Sequence, residues 1–180
     1  MANPPDLPKM ATHESLPHPS LPLGGHSRDL RRRGRIPPWM SWLTPEYNLE
    51  ETEVWVRGCI NNWGESDYNH LIIETETGSI AGSCGLNQLN KIDLVCNLGN
   101  WVKSSFLRQG AAREATLLMR DFAFQELAFQ RLEIVVADGN TASRKVTESC
   151  GALYEGLQRS RLQVEGKPTD AHMYALIKPT

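Results

Sequence analysis

The stretch from Asn97 to Ala137 most constrains how this chain can fold. Leu98 to Val102 reads as a strand and Lys103–Ser105 as a polar loop. Arg108-Gln109-Gly110-Ala111-Ala112 then opens a helix expected over Gln109 to Leu127, with Ala115, Leu118, Met119 and Phe122 on one face. Leu132 to Ala137 follows as a continuous apolar strand, the pattern of a position covered on both faces. Strand, helix and strand in this span imply a parallel pair joined by a right-handed crossover. The first turn of the helix leaves amides without partners and carries a partial positive charge. Gly110, Ala111 and Ala112 have no bulk to keep an anion away, so a phosphate or pyrophosphate fits directly on those amides. The same residues also suit an ordinary strand–turn–helix connection. They match neither the P-loop nor the GxGxxG pattern.

Residues 1–38 are rich in Pro, Gly, Ser and His and are expected to be largely disordered, because little there offsets the cost of ordering the backbone. No first strand or helix is legible in that segment. It ends in a cluster, Arg28, Arg31, Arg32, Arg33 and Arg35, that suits either a solvated tail or contact with an acidic partner such as RNA. The domain proper is expected over residues 39–180. Trp39, Trp42 and Leu43 begin it, and Asn48-Leu49-Glu50-Glu51 reads as a capped helix start. That helix runs to about Asn62, with Val54, Trp55, Cys59 and Ile60 at helical spacing and Trp55 and Trp63 as core anchors. Tyr68–Glu74, Ile80–Leu89 and Ile92–Val102 read as a meander, its first turn at Thr75–Ser79. Gly82 and Gly85 within a strand point to a bulge or a close backbone approach. A short helix over Thr141–Ser149 ends at Gly151, and strands over Ala152–Val164 and Ala171–Lys178 flank a turn at Glu165–Pro168.

Composition removes several function classes. No apolar run approaches the roughly 18 residues of a membrane span. The start, Met-Ala-Asn-Pro-Pro-Asp, is not a signal peptide, so a cytoplasmic protein is expected. Cys59, Cys84, Cys96 and Cys150 are far apart with no CxxC pair, which suits small buried thiols in a reducing compartment rather than zinc or a disulfide framework. Residues 1–45 carry six Lys/Arg against three Asp/Glu, and the remainder thirteen against eighteen. The domain itself is therefore mildly acidic, which argues against a nucleic-acid surface.

Gly110 and Ala112 fill the last two places of the loop Arg/Gln-x-x-Gly-x-Gly/Ala, and Asn140-Thr141-Ala142-Ser143, Cys150-Gly151-Ala152 and Glu155-Gly156 follow in order, then Gly166, Asp170, Met173 and Tyr174. Over roughly Trp39 to Lys178 this order resembles the RimJ/RimL branch of the GNAT N-acetyltransferases, which acetylate the N-termini of ribosomal proteins. The resemblance implies an α/β fold with a central mixed sheet of about six to seven strands flanked by helices. It also implies acetyl-CoA as co-substrate and no metal. The backbone of Trp101 and Val102 would hold the pantetheine arm, and the amides of Arg108, Gln109, Gly110, Ala111 and Ala112 the pyrophosphate. Asn140 and Ser143 would lie near the cofactor's sulfur, with Ser143 as the catalytic acid or merely a first-turn serine of its helix. Arg108 and Arg113 could add charge-assisted phosphate contacts.

The chain departs from the family's patterns at the first residue of the loop, at the strand end, and where branches of the family have a glutamate base or a tyrosine acid. Leu107, Asn97, Asn100, Leu162 and Thr147 replace polar or acidic residues of various branches. No inherited general base remains, and Glu133 or Asp170 could act only through water. Two functional readings stay open. One is an N-acetyltransferase whose acceptor is a protein N-terminus or a small amine, working as a monomer or homodimer. The other is a weakened acyl-CoA-binding module of the same fold.

Overall fold

The computed structural model describes residues 9–11, 39–40, 46–73 and 78–179. Strand β1 spans Lys9–Ala11 and helix α1 Leu49–Asn61. Strands β2 (Tyr68–Ile73), β3 (Ile80–Asn90) and β4 (Val95–Val102) follow, then helix α2 (Ala111–Gln125) and strand β5 (Arg131–Ala137). Helix α3 (Thr141–Ser149) and strands β6 (Leu153–Val164) and β7 (Lys167–Ile177) complete one mixed seven-stranded sheet in the order β1-β2-β3-β4-β5-β7-β6. Only β4 and β5 pair in parallel; every other neighbour is antiparallel. The expected crossover is therefore present, with α2 as its helix. Among the described residues no helix is long and apolar enough to cross a membrane.

Local chemistry sets the element ends. Asn48 caps α1 by accepting from the Glu51 amide at 3.2 Å, while the Glu51 carboxylate accepts from the Asn48 amide at 2.9 Å. Helix α2 starts two residues later than expected, because Arg108 and Gly110 have φ of 63° and 86°, outside helical geometry. Strand β7 starts at Lys167, four residues earlier than expected. Glu165 and Gly166 both have positive φ, as a two-residue hairpin turn requires, so pairing resumes at once with Val164 opposite Lys167. Pro168 is tolerated there because β5 pairs with β7 only from Ala171 on. The Lys9–Ala11 strand, paired with Leu71–Ile73, lies in the segment expected to lack order. The Arg28–Arg35 cluster, Trp42 and most of the Thr75–Ser79 turn fall outside the described residues.

The main core lies between α2 and one face of the sheet. Met119 and Ala123 of α2 meet Leu86, Leu98, Leu132 and Tyr174, all fully buried. On this point the expected faces need correction. Leu118 is exposed on the flank of α2, and on β5 only Leu132, Ile134 and Val136 turn into the core, with Glu133 and Val135 half-buried. The strands covered on both faces are β3, buried from Ala81 to Leu86, and β7, buried from Met173 to Leu176. The second face of β3 lies beneath α1. Within α1 Thr52 and Cys59 are the buried residues, and Val54, Trp55 and Ile60 are exposed. Trp63 does anchor, edge-on to Tyr68 and His70 at 5.4 and 5.0 Å between centroids.

Both strand glycines are close approaches. A methyl carbon at Gly82 would fall 2.1 Å from the Trp101 carbonyl oxygen, and one at Gly85 would fall 2.2 Å from Asn69 Oδ1. Gly82 also sits beside the bulge where β2 and β3 lose register, between Ile72 and Ile73.

Candidate active site

Strands β4 and β5 run paired only from Val95/Arg131 to Asn97/Glu133. Beyond that point β4 continues for five residues and β5 for four, with no ladder between them. A parallel pair that parts in this way opens a slot bordered by unspent backbone groups. On the far side of β4 the Lys103 amide donates to the Ala81 carbonyl at 2.8 Å. By the alternation of an antiparallel ladder, the Trp101 amide then turns to β3 and the Val102 amide to the slot.

The slot leads to the mouth of α2. Gly110 is its N-cap, with left-handed geometry and no side-chain cap, so the first-turn amides from Ala111 onward have no side chain on them. A methyl carbon at Gly110 would meet nothing within 4 Å, so the space in front of the helix is open. Gln109 turns its amide nitrogen back to the Ser105 carbonyl at 2.8 Å and stiffens the loop. Arg108 is exposed beside it. Arg113 is not part of this mouth, since its Nε donates to the Ser149 carbonyl at 3.2 Å and ties α2 to the end of α3.

Across the slot, β5 ends at Ala137 and turns into α3. Asn140 is the N-cap of α3, and its side-chain oxygen accepts from the Ser143 amide at 3.1 Å. Capping is thus the work of Asn140. The half-buried Ser143 contributes only its backbone to the cap. Beneath this corner His172 lies 3.2 Å from Asp138 and 3.3 Å from the Tyr154 hydroxyl. Beneath the β4 side Asn100 donates to buried Thr116 at 3.1 Å, and Thr116 donates to the Ala112 carbonyl at 2.8 Å. Asn100 therefore couples the strand at the slot to the helix mouth.

On the opposite face of the sheet lies a cavity of about 530 Å³. Its wall is Trp39, Met40, Tyr47, Thr52 and Trp55. Its floor is β2, β3 and β4, with Ser83, Asn87, Gly99, Asn100 and Trp101 against it. Trp101 and Asn100 place the cavity beside the slot, and Trp39 reaches from it to Gly139 at the start of α3. Among the described residues no carboxylate lines it. Glu133 pairs with Arg131 at 3.1 Å, and Asp170 accepts from the Ser160 amide at 2.8 Å. Thr147 is buried within α3 and Leu162 pairs opposite Thr169 on the outer hairpin.

The structure thus joins the expected helix mouth, the Trp101–Val102 strand end and the Asn140–Ser143 corner around one slot. The cavity wall was not legible in the sequence. Trp39 and Trp55 come from separate segments, and nothing in their local pattern marks them as lining one cavity.

A parted parallel pair, an open helix mouth beside it and a cavity on the far face form one connected site. The family model described as an acetyltransferase (GNAT) domain matches residues 29–153, and the chain belongs to that family. YdaF of Bacillus subtilis (strain 168), provisionally named a ribosomal N-acetyltransferase, is 35% identical over 101 residues, 56% of this chain and 55% of that protein. The chain spans 55% to 64% of the length of the curated relatives it matches. A Vibrio cholerae structure provisionally described as a ribosomal-protein-serine acetyltransferase superposes with a TM-score of 0.75 at 23% identity, over 95% of this chain and 92% of that one. The spermidine N-acetyltransferase of Vibrio cholerae, solved with CoA and spermine, superposes with a TM-score of 0.73 at 16% identity, over 94% and 95%. These structural likenesses are of fold.

Proposed function

We propose that the protein is an acetyl-CoA-dependent N-acetyltransferase acting on a primary amine, by direct attack within a ternary complex. One observation carries this reading: the slot that opens after Asn97 and Glu133 runs from the uncapped mouth of α2 to the Trp101 end of the cavity. The pyrophosphate would rest on the amides of Arg108 to Ala112, where helix polarity favours an anion. The pantetheine arm would continue along Val102 and bring the thioester to the cavity, opposite Asn140 and Ser143.

The neutral amine attacks the thioester carbonyl, the C–N bond forms and the C–S bond breaks. A backbone amide of β4 would face the developing oxyanion. The departing thiolate would take its proton from the Ser143 hydroxyl or from water, and the amine would lose its surplus proton to solvent. Holding the two reactants together supplies much of the rate by itself. The acceptor would be a protein N-terminal amine or a small amine. Thermal shift with acetyl-CoA, followed by an acetyl-transfer assay against mixed amines, tests the reading. Stabilisation and turnover support it. Stabilisation without turnover supports an acyl-CoA-binding module instead, and no stabilisation refutes both.

A further inference from the structure

We propose that the cavity selects a weakly basic primary amine carried on an uncharged, apolar or aromatic group, and that this selection stands in for a protein general base. The inference rests on the acetyl-transfer reading and adds the chemistry of the acceptor.

The first observation is charge. Among the described residues no Asp, Glu, Lys, Arg or His lines the cavity. An ammonium entering this space loses water and gains no carboxylate, so its neutral form is favoured. Indole rings return only part of that loss. A polyamine would bring several such charges, and an acidic acceptor would meet no cation among the described lining residues.

The second observation is shape. Trp39, Met40, Tyr47 and Trp55 form an apolar wall opposite a floor that carries uncharged amides. Asn87 accepts from Asn97 through its oxygen, which leaves its NH2 as a donor on the floor, while the Asn100 side chain turns to Thr116 on the α2 side of the sheet. Such a floor hydrogen-bonds an amine or an amide, and such a wall takes a flat or branched apolar group.

The third observation is the missing base. Glu133 is held by Arg131, Asp170 by the Ser160 amide, and His172 between Asp138 and the Tyr154 hydroxyl; none of them is among the described residues that line the cavity, so deprotonation falls to the acceptor itself. At pH 7.5 an amine with a pKa of about 8 is neutral about 200 times as often as one of about 10.4. Higher intrinsic nucleophilicity returns some of this to the more basic amine. A net preference of about 10-fold or more remains for the weaker base.

The test uses the full chain with saturating acetyl-CoA and three probes: phenylalaninamide, lysinamide and spermidine. N-acetyl products are quantified by mass spectrometry from pH 6.5 to 9.5. The expected result is a kcat/KM for phenylalaninamide about 10-fold or more above that for spermidine at pH 7.5, with a rising limb that moves with each acceptor's own pKa. Trp55→Ala, at an exposed position, should raise KM for phenylalaninamide about 10-fold with little change in kcat or in acetyl-CoA affinity. A preference for spermidine, or one rising limb common to all acceptors, overturns the inference while leaving the acetyl-transfer reading intact. If no probe turns over, tryptophan fluorescence of the acetyl-CoA-loaded protein decides: tighter binding of phenylalaninamide supports the selection, and equal or tighter binding of spermidine overturns it. A protein that does not bind acetyl-CoA sinks the reading and the inference together.

Discussion

The indole of Trp39 packs on Gly139, where an added methyl carbon would lie 3.3 Å from Trp39 Cη2. This contact joins the cavity wall to the corner that carries Asn140 and Ser143. Gly139 has φ of 86°, so Gly139→Ala combines a backbone cost of about 1–2 kcal/mol with pressure on the ring. The expected outcome is a KM for the amine raised by about 3- to 10-fold, since small misplacements near reacting groups are costly. Acetyl-CoA affinity, measured by calorimetry, should barely move. Equal loss of both would show that the contact only supports the fold.

Gly110 controls the mouth of α2. Gly110→Glu places a carboxylate where phosphate must sit and strains a left-handed position, whereas Gly110→Asn tolerates that geometry. Calorimetry should show acetyl-CoA binding weakened by about 10-fold or more for Glu, a loss near 1.4 kcal/mol, and much less for Asn. An unchanged constant for Glu would remove the pyrophosphate from this helix.

Ser143 and Asn140 separate catalysis from capping. Asn140→Ala should cost about 1 kcal/mol of stability by uncapping α3. Ser143→Ala keeps the backbone donor, so its melting temperature should match the wild type while turnover falls about 10- to 100-fold. Normal turnover in Ser143→Ala would end its assignment as the acid.

Arg131 of β5 reaches across β7 to the Glu155 carboxylate on β6. The guanidinium holds the Glu155 carboxyl below its usual range. A depressed folded-state pKa stabilises above the unfolded value of about 4.3, and that stabilisation fades as pH falls through the lower folded value. Melting temperatures of wild type and Glu155→Gln should therefore differ near neutrality and converge under acid. A gap that persists unchanged at pH 2.5 would contradict the pairing as its cause.

All four cysteines are buried and free. Burial pushes the Cys59, Cys84 and Cys96 thiols up to about 12 and raises Cys150 as well. A thiol-reactive disulfide reagent at pH 7.5 should label the native protein slowly and all four sites in denaturant. Fast native labelling of any site would show a more open core.

The sequence by itself determined the elements and the crossover. Asn48 and Glu51 carry a cap in their own side chains, Gly110 and Gly151 carry left-handed turns, and the apolar run after α2 must enter the sheet. These are short-range effects, settled within a few residues. Which strands would be covered twice, and that Trp39 and Trp55 would line one cavity, were decided by tertiary structure. Those outcomes depend on α1 crossing the face of the sheet opposite α2, and on β4 and β5 parting after Asn97 and Glu133. Burial and encounter are properties of the assembled layers, and no local period encodes them.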